Sequence, residues 1–124
     1  MDMNPFFKSV VDQNPQAIVI CDPQHTILYV NPAAQEKYAK RGYPSLVGRS
    51  VLDCHSPASR ERIDRVVKWF AESPEHNLVY TFHKMPDNVD LYMIALRDEN
   101  GELIGYYERY EPRNPETRKP YDLT

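Results

Sequence analysis

The apolar positions of this chain switch between two periods. Residues 17–21, Ala-Ile-Val-Ile-Cys, form an unbroken apolar run that suits a strand buried on both faces. Asp22-Pro23-Gln24-His25 reads as a turn, and residues 26–30 return as a second strand of the same hairpin. Asn31-Pro32 then opens a helix over residues 33–40, with Asn31 as cap and Gly42 as stop. Tyr38 is expected to turn inward. A second helix is predicted over residues 58–72, where Ile63, Val66, Val67 and Phe70 fall at i, i+3, i+4 and i+7. Its other side carries the i,i+4 pairs Glu61/Arg65 and Asp64/Lys68, and Ser73-Pro74 ends it. From residue 78 the period is two: Leu78, Tyr80 and Phe82 alternate with Val79, Thr81 and His83 up to Met85. Leu91 to Arg97 and Leu103 to Tyr110 follow as strands joined by the hairpin signal Asp98-Glu99-Asn100-Gly101. Upstream, Asn4 to Val11 can form a short helix with Asn4 as cap and an apolar stripe of Phe6, Phe7, Val10 and Val11, ended by Asn14-Pro15.

This order predicts an α+β domain: a five-stranded antiparallel sheet with helices packed on one face. The expected organisation is a helical segment at 1–14, the domain proper at 15–111, and an extended or mobile tail at 112–124 with three prolines. The chain has 124 residues, the size of one domain with a single core. A net charge of −3 and the lack of a basic block argue against a nucleic-acid partner. No apolar run reaches the ~18–20 residues of a membrane span, and residues 1–11 do not read as a secretory signal. A cytoplasmic protein is therefore expected, with Cys21 and Cys54 as reduced thiols rather than a disulfide.

Four local patterns occur in order: Ile-Leu-Tyr-Val-Asn at 27–31, Leu-Val-Gly-Arg-Ser-Val-Leu at 46–52, His-Ser-Pro-Ala-Ser-Arg-Glu-Arg-Ile at 55–63, and Arg-Asp-Glu-Asn-Gly-Glu-Leu-Ile-Gly at 97–105. Each is weak alone. Together, in this order and spacing, they resemble a PAS domain over roughly Asn4 to Tyr110. The resemblance implies a sensory module that binds a small ligand or cofactor and signals through protein–protein contact, as a homodimer or with a signalling partner. Two departures qualify it. Tyr110-Glu111-Pro112-Arg113 stands where many members carry Asp-Ile-Thr before an exit helix, and Pro112 disfavours such a helix. The thiol-bearing segment of flavin-binding relatives is replaced by Gly48-Arg49-Ser50-Val51-Leu52-Asp53-Cys54-His55, so flavin is not expected.

The chemistry-bearing residues have plain readings beside functional ones. His55 could ligate haem, as a histidine near the long helix does in some relatives, or could belong to the start of that helix. Cys54 could be a second ligand or a redox thiol, or a small buried hydrophobe. Asn31 could anchor a ligand or cap its helix. His25 and His76 are expected at the surface, His83 is solvated if its strand face looks out, and no zinc spacing is present. The nine tyrosines suit pocket walls and interfaces, and some of Tyr106, Tyr107 and Tyr110 are expected on the exposed sheet face. A cavity is expected between the long helix and the sheet, walled by Val51, Ile63, Val67 and Phe70 on one side and Ile18, Tyr80, Phe82, Met93 and Tyr107 on the other. Cys54, His55 and Asn31 are its polar anchors. No catalytic motif is present, so no enzymatic activity is expected. The ligand is open at this point: an unidentified small molecule, haem held by His55, or none at all in a pure dimerisation and interaction module.

Overall fold

The computed structural model describes residues 1–43 and 45–124. Five strands, β1 (Val19–Cys21), β2 (Ile27–Val30), β3 (Leu78–Lys84), β4 (Val89–Arg97) and β5 (Leu103–Pro112), form one sheet in the order β2-β1-β5-β4-β3. Every pairing is antiparallel. The helices are α1 (Asn4–Asp12), α2 (Pro32–Ala39) and α3 (Pro57–Glu72), with a short 3-10 turn at Val51–Cys54. β1 lies between its hairpin partner β2 and the last strand β5, which joins the two ends of the chain in one sheet.

Capping explains where the helices start. Asn31 is extended and its side chain accepts from the Ala34 N–H, while Ser56 does the same for Ser59, each with proline as the next residue. Asn4 does not cap α1 but is its first helical residue. Met3 holds the cap position without a side-chain bond.

Register assigns the faces. Cys21 pairs with Tyr106, Ala95 with Tyr106, Met93 with Glu108 and Leu91 with Tyr110, so these residues share one face. That face meets α3 in a core of Cys21, Ile27, Leu46, Val67, Phe70, Met93 and Tyr106. The opposite face carries Ile20, Tyr29, Tyr107, Ile94, Tyr92 and Tyr80. The alternation read in β3 fails at one point. A bulge between Tyr80 and Phe82 leaves Tyr80 opposite Tyr92 on the outer face and turns Phe82, opposite Leu91, to the inner one. Where β5 crosses β1 only glycine fits, since a Cβ on Gly105 would lie 2.2 Å from the Cys21 carbonyl oxygen.

Two polar hubs hold the layers. Asn31 is fully buried, and its Oδ1 accepts from both Ile18 N–H and Ala34 N–H at 2.9 Å. Its Nδ2 donates to the carbonyls of Val11 and Gln16 at 3.1 and 3.0 Å. At the far end of α3, Arg97 donates to the carbonyls of Phe70, Ser73 and His76 at 2.6, 2.9 and 3.1 Å. It also reaches Asn77 Oδ1 and the Gly101 carbonyl. α1 stands apart from the helical layer. It is tied near its C-terminus by Asp12 accepting from the Tyr29 hydroxyl, on the outer side of the sheet, and none of its residues is buried.

Asn31→Ala strands two buried backbone N–H groups and two carbonyls at once. It should lower unfolding stability by about 3 kcal/mol, read as a drop in the urea midpoint at unchanged slope.

Candidate functional site

The space between α3 and the inner sheet face contains a partly open cavity of about 70 Å³, room for a few waters or a ligand of a few heavy atoms. Its apolar lining is Ala17, Val19, Val51, Ile63 and Met93, and its polar lining is Cys21, Tyr38, His55, Tyr106, Glu108 and Tyr110. Tyr106, Glu108 and Tyr110 fall there because alternate residues of β5 share a face.

Of the expected wall residues, Val51, His55, Ile63 and Met93 meet in this cavity. Val67 and Phe70 lie in the packed core beneath α3. Phe82 edges a wider groove beside α3 and is half exposed. The others differ from expectation. Tyr107 pairs with Ile20 and Ile94 on the outer face, because the inward set of β5 is the even-numbered one. Tyr80 follows it outward, and its hydroxyl donates to Asp90 at 3.0 Å. Ile18 is buried outside the cavity lining, its amide taken by Asn31. Asn31 spends both ends of its side-chain amide on the backbone and has none left for a ligand. Cys54 is an exposed free thiol at the end of the 3-10 turn, not a buried hydrophobe, while Cys21 is the buried one.

The sequence reading of the cavity missed Ala17, Val19, Cys21, Tyr38, Tyr106, Glu108 and Tyr110, and the three on β5 had a signal. A glutamate flanked at i±2 by tyrosines fits an inward row with polar tips as well as an outward one.

The histidines are set by their partners. His25, expected at the surface, is buried at the β1–β2 turn with φ +72°. Its Nε2 lies 3.1 Å from Asp64 Oδ1 and its Nδ1 2.7 Å from the Tyr106 hydroxyl. A carboxylate only accepts, so in the neutral ring Nε2 carries the proton and Nδ1 accepts from the Tyr106 O–H. His25 therefore ties the turn, α3 and β5 together. His55 donates from Nδ1 to the Val51 carbonyl at 2.9 Å, which leaves Nε2 as the free lone pair. His76 stacks on Trp69 at 3.8 Å. His83 lies on the outer sheet face, where its Nδ1 is 2.8 Å from Asp90. Asp90 also accepts from Arg113, whose hydrogen bond does most to hold its pKa down at about 2.

Burial dominates the electrostatics of the cavity. It pushes the Cys21 thiol up to about 12, leaving it an unreactive neutral group. It also raises Tyr38, Tyr106 and Tyr110 above the ordinary phenol value. Glu108 is raised chiefly by burial, against a hydrogen bond from Tyr110, the charge of His55 when that ring is protonated, and the charge of Lys37. Lys37 donates to the Tyr110 hydroxyl at 3.1 Å and is itself lowered, first by burial. His55 has the free nitrogen that haem ligation needs; the cavity of about 70 Å³ is far smaller than a porphyrin, and only the wider groove that His55 also lines has room for one. Among the described residues no group of three or more His, Cys, Asp or Glu could hold a metal ion.

The raised Glu108 has a direction in pH. The folded chain keeps that proton to higher pH than the unfolded chain does. The stability it confers is present below the ordinary value of 4.5 and is lost as pH rises through the folded value. Glu108→Gln should therefore gain on the native protein in urea midpoint between about pH 4 and about pH 8. A constant difference would remove Glu108 as the cause.

The comparisons with known proteins agree with this architecture. The PAS domain of Bordetella pertussis BvgS is 18% identical, covers 93% of this chain and 89% of its own, and superposes with a TM-score of 0.62. A PAS domain from Colwellia psychrerythraea is 21% identical, with 90% and 98% coverage and a TM-score of 0.64. VqmA, solved bound to DPO, is 18% identical over 90% of this chain and 58% of its own, with a TM-score of 0.59. The sequence matches no curated protein. A PAS-fold family model matches residues 11–114. With that match and the sheet order around the cavity, the chain belongs to the PAS-fold family.

Proposed function

We propose that this chain is a sensory, non-catalytic module that binds a small organic ligand in the cavity between α3 and the sheet, and signals through protein contact. One observation carries the reading: a partly open hollow lined by apolar side chains and by the hydrogen-bonding groups of His55, Tyr106, Glu108 and Tyr110. Ligand sites combine such linings, mostly apolar with a few placed polar atoms. The VqmA neighbour was solved bound to DPO, and a bound ligand in that protein is consistent with the proposal. Among the described residues no helix is long and apolar enough to cross a membrane. Ligand binding would shift the population of α3 positions over the sheet.

The Met93 methyl group, buried and facing the cavity, reports occupancy. A screen of small N–H-bearing heterocycles by methyl NMR should find compounds that shift it, and a bulkier Val51→Phe variant should lose those shifts. A complete screen with no shift at Met93 would refute the reading. Added haemin should give no Soret band; a band abolished by His55→Ala would replace the small ligand with haem.

A second observation favours self-association as the output. Met3 at the cap and Phe6, Phe7 and Val10 of α1 are 44%, 54%, 61% and 75% exposed, an apolar stripe that no other described residue covers. Covered by a second copy, that stripe makes a homodimer. Phe6→Glu with Phe7→Glu should then give monomers by sedimentation at concentrations where the native chain is dimeric. An unchanged profile would sink this output.

A further inference from the structure

α3 leans on β4 and β5 and leaves a groove of about 890 Å³ against the edge strand β3. The groove runs beside α3 from Ser59 to Glu72, about 20 Å at the helical rise. It shares His55, Ile63, Met93 and Glu108 with the smaller cavity, so the two hollows meet at those side chains. Its lining is two-sided. Val66, Trp69, Val79, Phe82 and Met93 supply apolar surface, with Trp69 and Phe82 at 38% and 50% exposure. The helical wall carries Arg62, Arg65 and Lys68, while the β3 wall brings Tyr80, Thr81 and Phe82 and no charge. Lys68 is occupied by Asp64 at 2.7 Å. Glu72 lies at the C-terminal end of the groove, ten residues along the helix from Arg62, and Glu108 lies at its inner end.

We propose that this groove takes an amphiphilic monocarboxylate, with its apolar tail along Val66, Val79 and Phe82 and its carboxylate on Arg62 and Arg65. The inference rests on the hollow being a ligand site and names the class of ligand. A small inorganic anion would leave the apolar wall unused. A neutral amphiphile would leave the guanidinium groups without the planar acceptor their forked donors match. An ammonium headgroup would meet three cations on the helical wall.

Trp69 is the only tryptophan in the chain and lines the groove, so its emission reports occupancy directly. The full chain is titrated with sodium octanoate, 1-octanol and octylammonium chloride. Octanoate should shift Trp69 emission in a saturable way, with 1-octanol and octylammonium at least about tenfold weaker. Replacing both surface arginines, Arg62→Ala with Arg65→Ala, should weaken octanoate about tenfold or more and leave 1-octanol unchanged. Equal binding of 1-octanol and octanoate, tighter binding of octylammonium, or an insensitive double variant would overturn the carboxylate assignment. Heterocycle shifts at Met93 would still stand in that case. No response of Trp69 to octanoate would also overturn it, and the Met93 screen decides separately whether the smaller cavity binds anything.

Discussion

Arg97 fixes the position of the long helix, and the geometry of the site follows from that. The last carbonyls of a helix have no donor within it and carry the negative end of its dipole. Arg97, at the end of β4, places one guanidinium against the Phe70, Ser73 and His76 carbonyls and supplies both hydrogen bonds and positive charge. Phe70, fully buried, seats the same turn in the core. The middle of α3 is held from below by Asp64 accepting from His25. With its end and middle both attached to sheet-borne groups, α3 stays over β4 and β5 and does not close onto β3. The cavity and the groove are what that offset leaves open.

Much of this was legible in the sequence because local and global preferences agree. The two Asn/Ser-Pro starts, the stripe of α3 and the Asp98–Gly101 hairpin each follow from one residue's preference, and the structure matches them closely. The face of each strand was harder to read. In β5, tyrosines occupy both faces, so period two had no apolar contrast to set the phase. In β3, one extra residue at the bulge inverts everything after it. His25 was hidden for a different reason. A turn histidine reads as solvated until α3 brings Asp64 across it, a contact made over 39 positions of sequence.

The two faces of the sheet are specialised. The inner face uses burial to keep its titratable groups neutral: Cys21, Tyr106 and Tyr110 are all pushed toward their protonated forms. The outer face does the opposite. There, Asp90 is kept ionised by Arg113 with His83 and Tyr80 around it, a surface network that clasps the first residue beyond β5. The C-terminal segment is thus attached on the side away from the cavity, the side to which α1 is also tied. A change in α3 would have to cross the sheet to reach either.

The direction of the hydrogen bonds around His25 has one more consequence. When the imidazole is neutral and gives its single proton to Asp64, the Tyr106 hydroxyl hydrogen is drawn toward the ring, and the phenol oxygen is left as an acceptor beside Cys21. His55, with its proton spent on Val51, does the same with Nε2. At these two points the interior offers sockets without plugs, so a guest that settles there has to bring its own N–H or O–H groups.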